Sequence, residues 1–244
     1  MPFIIYTSNS LERLADSLAG IVQRPLDSPM RRETIVVMSP GMKRWLSLRL
    51  AGTLAVCANC DFLFPNVFID RVFRNMVSEP SDDAFNREVM SWRIMGLLPQ
   101  CVREPLFEEL SLYLGDDSDL LRRWQLACKI AYVFDQYIMY RPAMIMDWER
   151  GGEGGWQAEL WRRLSEGAKD AHFAAVCEAF LKQAGNASYA ERSQLPPRIF
   201  VFGISSLPPA YIDVLRAVAG FCELHLFFLN PSRHYWGDIT SSPE

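Results

Sequence analysis

No segment of this 244-residue chain combines closely spaced glycines with a lysine and a hydroxyl residue behind an apolar strand. A nucleotide-binding strand–loop–helix needs the glycines so that backbone amides can surround phosphate. It needs the lysine and a Ser or Thr for the phosphates and magnesium. After the first apolar run the chain offers Thr7-Ser8-Asn9-Ser10, and after the second Ser39-Pro40-Gly41-Met42-Lys43. Both read as ordinary strand-to-helix turns. A third strand end carries Ser205-Ser206-Leu207-Pro208-Pro209, with no carboxylate to hold a metal ion.

Other absences narrow the field. No run approaches the ~18 apolar residues of a membrane span. The start, MPFIIYTSNSLERL, has no basic segment and turns polar by Thr7, unlike a secretory signal. Histidine is scarce, with His172, His225 and His234 only, and Cys57-Ala58-Asn59-Cys60 is a lone CxxC. Structural zinc takes four ligands, so two loop or core thiols are the ordinary reading. Six scattered cysteines without a signal imply reduced thiols in a cytoplasmic protein. There is no GxSxG nucleophile turn. The acidic run Asp116-Asp117-Ser118-Asp119 reads as a helix N-terminal cap rather than a metal site. A net charge of -4 argues against binding nucleic acid through overall charge, while a local basic groove stays open.

What is present is α/β at both ends and helical in the middle. Phe3 to Tyr6 reads as a buried strand, and Asn9 with Glu12 suggests a capping box for a helix through Leu11, Leu14, Ala15, Leu18 and Val22. Thr34 to Met38 is a β-branched strand, followed by a helix on Met42, Trp45, Leu46 and Leu50. From Asn66 to about Lys182 the period is helical. Its stripes are Phe68, Ile69, Val72, Phe73 and Met76; then Phe85, Val89, Trp92 and Leu97; then Leu121, Trp124, Cys128, Ala131, Phe134 and Ile138, ending at Arg141-Pro142. The run GGEGG at 151–155 reads as a flexible break before a helix on Trp156, Leu160, Trp161 and Leu164, with a last one on Phe173, Val176, Cys177 and Phe180. Ile199 to Ile204, a helix through Tyr211, Leu215 and Val218, and Leu224 to Leu229 restore strand–helix–strand logic and a parallel sheet. The organisation is an α/β domain over 1–65 and 196–244 interrupted by a helical insertion over 66–195.

Seven tryptophans fall mostly on apolar stripes, where core packing is the ordinary role. The basic pairs Arg31-Arg32, Lys43-Arg44, Arg122-Arg123 and Arg162-Arg163 read first as solvated faces and leave a nucleic-acid groove possible.

Several segments, in order, resemble the N-terminal part of the RecC family, the gamma subunit of bacterial exodeoxyribonuclease V (RecBCD). They are Tyr6-Thr7-Ser8-Asn9, Ser39-Pro40-Gly41-Met42, Ala84-Phe85-Asn86, Phe134-Asp135-Gln136-Tyr137, Tyr140-Arg141-Pro142, Phe202 to Pro209, and Tyr235-Trp236-Gly237-Asp238-Ile239. The resemblance implies an N-terminal fragment with a P-loop NTPase-like fold, that of an inactive superfamily 1 helicase motor domain carrying an all-helical insertion. Thr7 to Ser10 then stands where an active motor has its phosphate loop, and Gly203-Ile204-Ser205-Ser206 where it has its Asp-Glu box. No catalytic, cofactor-binding or metal residue is implied in this chain, and ATP and Mg²⁺ are expected on partner subunits alone.

The partners implied are RecB-like and RecD-like subunits and DNA, as duplex end and single strand, with no membrane. The role implied is splitting duplex and scanning a strand for the regulatory Chi sequence, in double-strand break repair. Asp135, Gln136 and Arg141 match family scanning positions, whereas Met38, Pro40, Arg44 and Asp70 depart from them. With the basic pair Lys43 and Arg44, these three make the DNA-binding candidates. Arg141 has two open roles, a DNA contact or an ion pair with Asp135. Two other functions stay in view: an ATPase or nuclease with an unrecognised site near Ser205, and a protein-interaction module whose aromatics dock sister subunits.

Overall fold

A computed structural model describes residues 3–28, 30–76, 83–115, 119–184, 195–230 and 232. The motif at Tyr235 to Ile239, His234 and the residues 116–118 of the acidic run lie outside the described residues. The chain divides into two compact units. The first takes the described residues of Met1–Met76, Ala184–Leu207 and Tyr211–Glu244; the second takes those of Val77–Gln183 with Pro208–Ala210.

The first unit is built on five strands: β1 (Phe3–Ser8), β2 (Glu33–Val37), β3 (Cys60–Leu63), β4 (Arg198–Phe202) and β5 (Glu223–Leu229). Their order is β1-β5-β4-β2-β3, and every pairing is parallel. The parallel α/β sheet expected from the apolar runs is therefore present. β2 and β4 are buried at all five positions each, as strands covered on both faces must be. Helices α1 (Leu11–Val22) and α2 (Pro40–Leu54) cover one face. There Leu14, Leu18, Leu46 and Leu50 pack on Ile35, Val37, Phe200, Phe202 and Phe227. Each such side chain contributes roughly 1.5–3 kcal/mol by leaving water. On the other face Phe68 and Ile69 of α3 (Pro65–Met76) and Tyr211 and Leu215 of the helix Pro209–Val218 meet Val36 and Val201. A cavity of about 10 Å³ remains among them, at the lower limit for one water and apolar in its lining.

Two local details differ from the sequence reading. The cap of α1 is Ser10 rather than Asn9: its backbone is extended, and its Oγ accepts from Arg13 N at 3.3 Å and donates to Glu12 Oε2 at 2.6 Å. Glu12 therefore sits one position too early for the reciprocal box. β3 was not anticipated, because Cys60-Asp61-Phe62-Leu63 is short and poor in β-branched residues. It exists through its register on β2, with Glu33 opposite Cys60 and Val36 opposite Leu63.

The second unit contains α4 (Arg87–Cys101), α5 (Glu108–Leu114), α6 (Leu120–Tyr140), α7 (Pro142–Glu149), α8 (Gly155–Ser165) and α9 (Phe173–Gln183), with two short 3₁₀ turns. The 209–218 helix is α10. The buried face of α4 is Met90, Ile94, Leu98 and Cys101, one residue step away from the expected stripe. It packs on Ala127, Ile130, Ala131, Phe134 and Ile138 of α6. Trp92 is left 65% exposed and Leu121 64% exposed.

The glycine run 151–155 is a tight turn rather than a flexible break. A Cβ on Gly154 would stand 2.3 Å from Trp148 Nε1, and Arg162 donates to the Gly152 carbonyl at 3.2 Å. A buried polar node completes the unit. Glu149 Oε1 accepts from Trp161 Nε1 at 3.0 Å and lies 3.0 Å from His172 Nε2, while His172 Nδ1 accepts from Ala175 N at 3.2 Å.

Candidate nucleic-acid interface

In a parallel sheet a ligand crevice opens outside the carboxyl ends of neighbouring strands whose following helices lie on opposite faces. β2 leads to α2 on one face, and its neighbour β4 leads to α10 on the other. The crevice therefore falls between Met38-Ser39 and Gly203-Ile204. Gly203 has φ 65°, a left-handed conformation that costs other residues energy, and its N–H donates to the Phe227 carbonyl at 3.0 Å. A Cβ there would stand 3.2 Å from Met42 Cε, 3.6 Å from Met42 Sδ and 3.7 Å from Leu11 Cδ2. Met42 and Leu11 thus crowd the chain at the carboxyl end of β4.

Three hydroxyls at or just after the ends of β1 and β2 are engaged. Ser39 Oγ accepts from Met42 N at 3.1 Å, and Ser10 Oγ serves Arg13 N and Glu12. Ser8 Oγ accepts from Ser10 N at 3.1 Å. These side chains cap their own helix ends, which satisfies amides that a phosphate would otherwise take. Cys57 and Cys60 are free thiols with sulfurs 3.6 Å apart. Burial first, and then Cys57, push the Cys60 thiol up to about 12, so it stays protonated at neutral pH. Among the described residues no group of three or more His, Cys, Asp or Glu side chains could hold a metal ion.

The DNA-binding candidates fall in both units. Lys43 and Arg44 are exposed on the first turns of α2, with Lys43 Nζ 6.0 Å from the centre of the Phe62 ring. Asp135 and Gln136 are half-buried late in α6, where Gln136 Nε2 donates to Asp135 Oδ2 at 3.3 Å. Arg141 is exposed and closes α6, its guanidinium 5.9 Å from the centre of the Tyr137 ring. Its alternative partner, Asp135, is not paired with it. Residues three or four apart share a helix face, and Tyr137 stands four before Arg141 whereas Asp135 stands six before it.

Two other basic residues are committed internally. Arg163 makes bonds of 2.8 and 2.7 Å to Glu104 and 2.9 Å to Glu159, and Arg162 bonds Glu159, Trp148 O and Gly152 O. This pair is therefore not a free solvated face. Sequence periodicity also missed the exposure of Trp92, which is 65% exposed beside the half-buried Trp124. Trp92 of α4 and Trp124 of α6 have ring centres 4.3 Å apart, and both had been assigned to the core.

Residues 3–244 match the family described as RecC, N-terminal domain. The chain is 41% identical to the RecBCD enzyme subunit RecC of Escherichia coli (strain K12), over 96% of this chain and 22% of that protein. It is 34% identical to the RecBCD enzyme subunit RecC of Haemophilus influenzae, over 98% and 24%, and 29% identical to that of Mycolicibacterium smegmatis, over 99% and 22%. The chain thus spans between a fifth and a quarter of the length of these relatives. A match over nearly every residue, on a parallel α/β sheet, makes this chain a member of the RecC family, corresponding to its N-terminal domain.

Proposed function

We propose that this chain is a non-catalytic DNA-channel and scaffold module of a RecBCD-type helicase–nuclease acting in recombinational repair. In this reading the first unit is a P-loop NTPase-like motor domain with a degenerate nucleotide site, and the second is a helical insertion between β3 and β4. The module works beside RecB-like and RecD-like subunits in the cytoplasm, takes no cofactor itself, and contacts duplex end and single strand through Lys43, Arg44, Asp135, Gln136 and Arg141. The observation that supports the reading is Gly203: at the end of β4, where a motor would carry its metal-binding acids, this chain has a left-handed glycine crowded by Met42 and Leu11 and no carboxylate. The names of the relatives add RecBCD enzyme membership.

The test has two arms. Phosphate release and fluorescent ATP-analogue binding should stay at background, and hydrolysis that is abolished by changing Asn9 or Ser10 would overturn the reading. Fluorescence anisotropy with single-stranded DNA should show affinity that falls between about 50 and 200 mM salt. Replacing Arg141 by Ala should weaken it. A second reading, docking of sister subunits without DNA contact, is favoured by Trp92, 65% exposed and set against the half-buried Trp124. It requires affinity for DNA to be absent at every salt concentration.

A further inference from the structure

Cys57 and Cys60 stand three positions apart, and the turn between α2 and β3 brings their side chains together. α2 stops at Leu54, and Ala55 takes the left-handed φ of 67°. Val56 and Ala58 are exposed, so this arm of the turn runs along the surface with Cys57 half-buried between them. The other arm is anchored. Asn59 O accepts from Glu33 N at 3.0 Å, and Asn59 Nδ2 donates to the Arg31 carbonyl at 2.6 Å. Cys60, the first residue of β3, lies in register opposite Glu33 of β2. The two sulfurs end 3.6 Å apart, both at the margin of the core that α1 and α2 cover.

A packing thiol looks different. Cys222 is 2% exposed, and its Sγ rests on the carbonyl of Val218 in the preceding turn. Cys57 and Cys60 have each other as partner, and both can be reached from solvent. Among the described residues no third His, Cys, Asp or Glu joins them in a metal-binding group. What two sulfurs in contact can do is dithiol chemistry. A disulfide bond is ~2.05 Å long, so the sulfurs must close by roughly 1.5 Å. Rotation of the Cys57 side chain on the surface arm supplies that approach while both Asn59 bonds stay in place.

We propose that Cys57 and Cys60 form a reversible dithiol–disulfide site whose co-substrate is a small-molecule disulfide. The Cys57 thiolate attacks one sulfur of that disulfide, which gives a mixed disulfide and releases one small thiolate. Cys60 Sγ then attacks Cys57 Sγ. The second small thiol leaves and takes the Cys60 proton. The cysteines lose two electrons and two protons in all, and the co-substrate departs as two thiols. The order of attack follows from the surroundings. Burial, and then Cys57, hold the Cys60 thiol up to about 12, so Cys60 keeps its proton and Cys57 begins. The closed form ties the end of α2 to the edge strand β3. An exposed bond in so short a loop is a labile one, open again once reductant returns. The site needs no contact with DNA.

The test treats the folded full-length subunit that carries this domain with glutathione disulfide, then alkylates free thiols and maps peptides. The peptide holding both cysteines should escape alkylation and weigh ~2 Da less than its reduced form, and dithiothreitol should reverse the change. Cys60→Ser should stop at a stable glutathione adduct on Cys57. Cys57→Ser should gain an adduct on Cys60 at least ~10-fold more slowly. Hydrogen exchange needs no variant: the Glu33 amide, bonded to Asn59 O, should stay protected in the reduced and the closed form alike. Two thiols still open to alkylation, a lasting glutathione adduct on the unsubstituted protein, or a bond from Cys57 to any other cysteine overturns the proposal. So does loss of Glu33 protection on oxidation, since closure would then have broken the turn.

Discussion

The guanidinium of Arg198 and the carboxylate of Glu33 meet inside the sheet, with side chains only 7% and 9% exposed. Nε donates to Oε2 at 2.9 Å, Nη2 donates to Oε1, and Nη2 also reaches the Arg24 carbonyl at 2.7 Å. The pair joins the first residues of β2 and β4, strands far apart in sequence. Removing one partner strands the other charge. Glu33→Ala should lower unfolding free energy by about 3–5 kcal/mol, read from urea midpoints. Combining Glu33→Leu with Arg198→Met should recover most of that loss. If the double variant is as unstable as the single one, the pair does more than neutralise itself.

Gly203 gives a second expectation. Gly203→Ala should cost about 1–3 kcal/mol, from the left-handed backbone and the crowding by Met42. Gly203→Asp should be at least as unstable and should gain no ATPase activity, because the carboxylate would be set against Met42 and Leu11. Melting temperature and phosphate release measure the two halves of this expectation.

His225 sets a pH dependence. It is buried beside Phe200, with ring centres 5.2 Å apart, and its Nε2 has no hydrogen-bond partner, with Glu223 Oε2 3.5 Å away. Burial holds its pKa below the ordinary histidine value, helped by Arg24 and Arg198 and opposed by Glu223. The unfolded chain then binds the proton more tightly than the folded one. The stabilisation is complete above the unfolded value of about 6.5 and is lost as pH falls through the depressed folded value. His225→Phe should flatten the decline in urea midpoint just below that pH. The decline below pH ~4.5 should survive, since Arg163 and other partners hold Glu104 and Glu159 below the ordinary carboxylate value.

Ala55 ends α2 at φ 67°, the one non-glycine residue with positive φ among the described residues. Glycine is at ease there. Ala55→Gly should therefore stabilise the first unit, by up to ~1 kcal/mol, visible as a higher melting temperature.

Much of this was legible in the sequence. β2 and β4 announce themselves because strands covered on both faces need unbroken apolar runs, and Ser39 before Pro40 marks the start of α2. The missing phosphate chemistry was legible too, as absent glycines, lysine and acids. The crowding at Gly203 was not, since nothing local says that Met42 and Leu11 converge there. The same limit applies to α4: a stripe of Val89 and Trp92 and one of Met90 and Ile94 differ by a single step of helix rotation. Only packing against Ala131 and Phe134 chooses between them. Likewise Arg162 and Arg163 look like surface charge until Glu104, some sixty positions earlier, is brought beside Arg163.

The strand order carries a temporal consequence. β1 and β2 are made first, but they never touch; β5 and β4 lie between them. Thr34 waits for Ile199, and Ile5 waits for Leu226. At ribosomal rates of ~5–20 residues per second, that wait lasts on the order of ten seconds or more. During it both early strands have an unpaired apolar edge, each exposed until its later neighbour is made.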